Sequence, residues 1–322
     1  MLRTREFGAF VVLVAMLLLC EAGSQFYNQK SFLGNELGRV LKDFSIVAIA
    51  AIGACAVIVS GGVDLSAGST MTLSAYAMAF LFVNKGVPAP VALGAGLATG
   101  TLVGLANGLL VGGAKLPPFI ATLGMLSIAR GLAFWVNDGD NITVAWRSSA
   151  DAFAGFWLLG DYPMVAVLVL GILASVVMAR FRWGRYVYAV GGNEEAARFA
   201  GLRIGAIKAG IYAAAGLFSA LAGCTYSLKY GTTMVTMGNG YELQIIAACA
   251  IGGVSFSGGQ GTVAGSVIGA AILQTLYELL LQLRVPGDRI EIFYGAAILL
   301  AVGIDQVRRG GLPARWFSRS AT

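Results

Sequence analysis

The chain has 322 residues, 57% of them hydrophobic and only 12% charged, with a net charge of +6. That is too little charge to wet the surface of a soluble protein of this length, where about a quarter of residues are charged. Histidine is absent, which excludes a histidine metal site, a Ser-His-Asp triad and a histidine proton relay.

A helix crossing the hydrocarbon core needs about 20 apolar residues, and the hydropathy pattern predicts about ten such spans. The first half of the chain offers 7–26, 40–60, 66–83, 89–111 and 117–136. The second half offers 162–179, 207–228, 241–254, 262–283 and 290–307. Arg3 and Arg5 ahead of the first span mimic a signal peptide, but no small-residue cleavage site follows Leu19 and Cys20, so this helix is expected to stay attached. Glycine-rich stretches near Gly61 and Gly258 predict short broken or re-entrant segments. The expected fold is all-α, a polytopic membrane protein forming a single transmembrane domain over 1–322.

Charge sets the expected orientation. Arg180, Arg182, Arg185, Arg198, Arg203 and Lys208 crowd one loop, and Arg309, Arg315 and Arg319 follow the last span. Asp138, Asp140, Asp151 and Asp161 gather in a loop on the opposite side. The positive-inside rule then puts both termini and the loop 181–206 in the cytoplasm. The same rule accounts for the net positive charge, so nucleic acid is not an expected partner.

Glycines recur at every fourth residue in the fourth span, at Gly96, Gly100, Gly104, Gly108 and Gly112, and again at Gly261, Gly265 and Gly269 in the ninth. Such stripes let helix backbones approach closely in lipid, so leucine at Gly104 should wedge the pair apart far more than alanine. Cys20, Cys55, Cys224 and Cys249 all fall in apolar runs and read as small hydrophobes, without metal-ligand spacing. No metal or cofactor is expected.

The segment Ser60-Gly61-Gly62-Val63-Asp64-Leu65-Ser66-Ala67-Gly68-Ser69 places a carboxylate where a span breaks. A charge near mid-bilayer costs about 2.5–3.5 kcal/mol and needs a donor or a wet cavity. Asp64 is therefore either the N-cap of the next helix, accepting from the amide of Ser66 or Ala67, or a contact for a solute. Gly252-Gly253-Val254-Ser255 forms a faint echo of Gly61-Gly62-Val63-Asp64, the pattern of an internal repeat. Arg130, Glu242, Glu278 and Asp305 also fall in or near spans, and structural roles are expected for them. In the basic loop, Asn193 can cap a short helix whose first turn holds Glu194 and Glu195, with Gly201 at its stop.

In chain order these blocks resemble the ribose-type permeases of ATP-binding-cassette importers. The resemblance rests on Gly61-Gly62-Val63-Asp64-Leu65-Ser66, Asn107-Gly108, Pro118-Phe119-Ile120-Ala121-Thr122-Leu123-Gly124 and Arg130-Gly131. It continues through Gly191-Gly192-Asn193-Glu194-Glu195-Ala196-Ala197, Gly240-Tyr241-Glu242-Leu243 and Gly258-Gly259-Gln260-Gly261. It implies an importer subunit in a bacterial cytoplasmic membrane that moves a monosaccharide-like solute. It also implies three kinds of partner: cytoplasmic ATP-binding subunits, an extracytoplasmic solute-binding protein and a second permease copy or paralogue. By the same resemblance Asn193, Glu194, Glu195, Ala196, Ala197, Arg198 and Gly201 couple to the ATPase. Asp64, Ser66, Asn107 and Glu242 are candidates for the translocation path. Phe256-Ser257-Gly258-Gly259-Gln260 imitates an ATPase signature, yet no phosphate-cradling G-x-x-x-x-G-K-[ST] is present, so the energy has to come from another subunit. An ion-coupled secondary transporter is the rival reading. It would need a coupling carboxylate or histidine at mid-membrane, and Asp64 is the one attractive choice.

Overall fold

The computed structural model describes residues 2–28, 31–148 and 154–308; Asp151, Arg309, Arg315 and Arg319 lie outside them. In the first half come α1 (Leu2–Asn28), a short α2 (Phe32–Asn35), α3 (Leu37–Val59), α4 (Ala67–Ala79), α5 (Ala89–Gly112) and α6 (Pro118–Val136). After β1 (Ile142–Thr143) follow α7 (Ala154–Gly160), α8 (Pro163–Arg180), α9 (Arg182–Gly192), α10 (Glu194–Phe199) and α11 (Ile204–Tyr230). β2 (Thr232–Thr233), α12 (Tyr241–Ile251), α13 (Val263–Gln282) and α14 (Gly287–Arg308) complete the order. β2 pairs antiparallel with β1, setting Thr233 opposite Ile142.

Among the described residues seven helices, α1, α3, α5, α6, α8, α11 and α13, are long and apolar enough to cross a membrane. The other expected spans appear as α4 continued by a π-helical turn (Phe80–Asn84), as α12 and as α14. α12 stops at Ile251 after 11 residues, short of the expected 254, because Gly252 and Gly253 end it. Its length of about 16 Å is half of a ~30 Å hydrocarbon core. α5, α6 and α8 each start on a proline within the first turn, where a missing N–H costs nothing and φ is already helical.

α3 is apolar on all sides and buried without interruption from Phe44 to Val59, so it forms the axis of the bundle. α6 and α8 instead expose Phe119, Ile120, Ile128 and Trp135, and Leu168, Val169, Ile172 and Leu173, an apolar face suited to lipid. The glycine stripe of α5 seats on α11. A Cβ on Gly104 would run into the Tyr212 carbonyl, one on Gly100 into Ala220 and the Gly216 carbonyl, and one on Gly108 into the Ala209 backbone. Gly265 and Gly269 of α13 rest in the same way on the carbonyls of Gly252 and Ala248. Gly261 is not on that stripe: it precedes the helix in irregular chain at φ 143°.

The obstacle at Gly104 is backbone, which cannot rotate aside. Alanine should therefore already be harmful there, at roughly the 1–3 kcal/mol of an overpacked core. Gly104→Ala is expected to lower the thermal midpoint in detergent, and Gly104→Leu to prevent assembly. Gly124→Ala, on α6 where a Cβ meets nothing within 4 Å, should leave the midpoint at or above that of the unmodified chain. Unchanged midpoints for both Gly104 variants would mean that α5 does not seat on α11.

Candidate functional site

α3 ends where Gly61 enters the left-handed region at φ 81°. The amide of Gly62 then folds back to the Val57 carbonyl at 3.0 Å. After α12 the chain does the same one residue out of step with the sequence echo: Gly253 takes φ 84° and the Val254 amide reaches the Cys249 carbonyl at 2.9 Å. Asp64 lies in the first of these breaks, only 8% exposed. Its Oδ1 accepts from the Ser66 amide at 2.8 Å and the Ser66 hydroxyl at 2.6 Å. The Asn107 side-chain amide on α5 donates to that hydroxyl at 2.8 Å. Asp64 thus closes a turn ahead of α4 rather than being its N-cap residue, which is Ser66.

Two further helices reach the same turn. The Val63 carbonyl accepts from the Tyr212 hydroxyl of α11 at 3.3 Å, and Thr122 of α6 stands 3.5 Å away while donating to Pro118 at 2.9 Å. A Cβ on Gly62 would take the space of the Tyr212 hydroxyl, so glycine is required there for packing. Three of the path candidates, Asp64, Ser66 and Asn107, therefore form one chain of hydrogen bonds. Glu242 arrives separately, on the first turn of α12, with its carboxylate against Gly68 of α4. Its Oε2 and the Oδ1 of Asn107 are buried with no partner among the described residues. Glu278, for which a structural role was expected, pairs with Arg39 at 2.7 Å and accepts from Gln274 at 3.3 Å. The side chain of Asp305 lies outside the described residues.

The basic loop folds into α9 and α10. Asn193 caps α10 by accepting from the Ala196 amide at 2.9 Å. Glu194 is tied to Arg198 at 3.2 Å and to Lys208 at the start of α11 at 2.6 Å. Gly201 ends the segment at φ 85°, its amide on the Arg198 carbonyl at 3.0 Å. Ala197 is buried beneath this helix, while Glu195, Ala196 and Arg198 are exposed. Phe199 projects with 91% of its surface exposed, an aromatic residue that the motif reading passed over. Only its place at the end of an amphipathic turn could have pointed to it.

α9 carries this segment to both breaks at once. The Gly259 amide donates to the Val59 carbonyl at 2.7 Å, joining the loop after α12 to the end of α3. A Cβ on Gly191 would overlap both of those atoms, so the last turn of α9 is pressed into that junction. One turn earlier, the Tyr188 hydroxyl donates to the Gly261 carbonyl at 2.7 Å. Burial pushes the Tyr188 phenol up to about 12, which keeps it a donor throughout the physiological range. Gly191 and Tyr188 were not singled out for this role, because the junction unites three segments distant in sequence.

The turn at Asp64 yields a direct test. Ser66→Ala removes one of two bonds to a buried carboxylate, worth about 1.5–3 kcal/mol for a charged acceptor. The thermal midpoint in detergent should fall clearly, and fall less for Asp64→Asn, which can still accept the Ser66 amide. A Ser66→Ala midpoint equal to that of the unmodified chain would contradict this assignment.

A family model described as "Branched-chain amino acid transport system / permease component" matches residues 37–302. The chain is 36% identical over 301 residues to the ribose import permease protein of Escherichia coli (strain K12), covering 92% of this chain and 93% of that one. It is 35% identical over 310 residues to the fructose import permease protein of Rhizobium meliloti, covering 92% and 85%. It is 34% identical over 323 residues to the galactose/methyl galactoside import permease protein of Escherichia coli (strain K12), covering 94% and 95%. No solved structure matches it at a significant level.

Proposed function

Because the chain belongs to the branched-chain amino acid transport system permease component family, we propose that it is the membrane subunit of an ATP-binding-cassette importer for a monosaccharide-like solute. The observation that carries this reading is full-length similarity to three permeases named for ribose, fructose and galactose import. All of 1–322 then acts as one permease domain, with both termini and the loop 181–206 in the cytoplasm. Cytoplasmic ATP-binding subunits dock on α10, an extracytoplasmic solute-binding protein delivers the solute, and a second copy or paralogue completes the channel.

The geometry supports a mechanical role for α10. Its Glu194 contacts tie it to α11, and α9 runs from it into the junction of the two breaks. A push on α10 therefore reaches α3, α11 and the loop after α12 together. Asp64, Ser66 and Asn107 border the path where α4 begins, and Glu242 borders it from α12. Ion-coupled transport is disfavoured because the Asp64 carboxylate is already committed to the Ser66 amide and hydroxyl. Proteoliposomes holding the chain with its ATPase and binding protein should take up ribose, fructose or galactose only when ATP is supplied. Uptake driven by an ion gradient without ATP would overturn the reading.

An exposed aromatic at a protein contact is the usual energetic anchor, and its truncation costs about 2 kcal/mol or more, roughly thirty-fold in dissociation constant. Phe199→Ala should therefore reduce co-purification of the ATPase by about that factor while the chain still inserts. Gly201→Asp should do the same, since a side chain at φ 85° strains the helix stop. Asn141→Asp, an exposed position beside β1, should leave co-purification intact. Full ATPase recovery with both α10 variants would place the docking surface elsewhere.

A further inference from the structure

A cavity of about 480 Å³ opens at the end of the bundle opposite α10, within the ~300–1,000 Å³ typical of small-molecule sites. Its wall is aromatic and amide-bearing: Tyr230 closes α11, Tyr241 and Gln244 sit on the first turn of α12, Gln274 and Tyr277 come from α13, and Tyr294 from α14. Tyr226 lies behind the wall and packs its ring against Tyr230 at 4.5 Å and Tyr241 at 6.2 Å.

The cations that line this cavity, Arg39 and Lys229, are held in ion pairs. Asp43 holds Lys229 and accepts from the Tyr230 hydroxyl at 2.6 Å, and its other oxygen lies 3.6 Å from Arg39. Arg39 also bonds Glu278 at 2.7 Å. Glu36 holds Arg39 as well, at 3.0 Å, so both Arg39 and Lys229 are already paired with carboxylates of the protein rather than left free to attract an ion. By contrast, no hydrogen bond among the described residues engages the Gln244 amide or the hydroxyls of Tyr241 and Tyr277. Neutral donors and acceptors without a partner among the described residues, set beside aromatic faces, match an uncharged ring carrying several hydroxyls. The hydroxyls take the amide and phenol groups, and the C–H faces of the ring lie on the tyrosines.

Resting on the importer reading above, we infer that this cavity is an extracytoplasmic acceptor site for a neutral polyhydroxylated solute such as an aldose or ketose. α12 makes the site more than a passive vestibule. Tyr241 and Gln244 face the cavity from its first turn, Glu242 of the same turn lies against α4, and its last turn leads to the loop bound to Val59. Solute in the cavity therefore touches the helix whose other end sits at the α9 junction.

All four native cysteines are buried, so a single introduced thiol can be followed. Gln244→Cys, reconstituted with its ATPase, is labelled from outside with a membrane-impermeant thiosulfonate in the presence of D-ribose, D-fructose, D-galactose or L-leucine. At least one sugar should slow labelling several-fold in a saturable manner, and L-leucine should not. Tyr277→Phe, which deletes only a hydroxyl, should raise the KM for uptake of that sugar several-fold while ATPase co-purification is unchanged. Labelling slowed by none of the sugars, or by L-leucine alone, overturns the inference. Sugar protection without ATP-driven sugar uptake by the unmodified complex would uphold the site and contradict the transport reading instead.

Discussion

A helix interrupted inside a membrane leaves amides and carbonyls that lipid cannot satisfy, at several kcal/mol for each group left open. Among the described residues α3 and α12 both end in glycine turns, after Val59 and after Ile251, and the loops that follow are closed partly against each other. The bond from the Gly259 amide to the Val59 carbonyl is the point of closure, and the last turn of α9 fills the space beside it. Because the two loops share this bond, a displacement of α3 bears on the loop after α12. Glycine at 191 is what lets a third backbone come close enough to share the junction.

From that junction the rest of the site follows in two directions. Along α3 and its turn, Asp64, Ser66 and Asn107 lock the start of α4 to α5, while Tyr212 and Thr122 bring α11 and α6 to the same turn. Along α12, a helix too short to cross the membrane connects the junction to an aromatic cavity at the opposite end. The stripe of glycines binding α5 to α11 gives this assembly a stiff frame, since backbone in contact with backbone leaves no flexible side chain to absorb a shift.

Seven of the ten expected spans were legible because lipid imposes one length and one composition on each, while 66–83, 241–254 and 290–307 correspond to helices that do not meet that length and composition. At Asp64 the sequence offered an N-cap or a solute contact; acceptance of the Ser66 amide was legible, but the cap position itself falls to Ser66 because the turn closes two residues earlier. The early stop of α12 at Ile251 was not legible, because the apolar run continues beyond the glycines and hydropathy cannot register a change of backbone direction. The roles of Gly191 and Tyr188 at the junction, and the tyrosines of the cavity, were hidden for another reason. Their partners lie on elements distant in sequence, from Arg39 to Tyr294 at the cavity, and no local pattern links them. Phe199 escaped because one exposed aromatic is unremarkable until the helix around it is seen to leave it uncovered.

We propose that force from the ATPase passes through the seat of Gly191 and not only through the proposed docking at α10. Gly191→Ala adds one methyl group where the Val59 carbonyl and the Gly259 amide already stand, leaving the exposed face of α10 untouched. ATPase co-purification and ATP-driven sugar uptake should be measured on the same reconstituted sample. The account predicts full ATPase association with uptake largely lost, because the breaks are forced apart while the docking surface is intact. Normal uptake by Gly191→Ala would contradict it, since coupling would then bypass the junction.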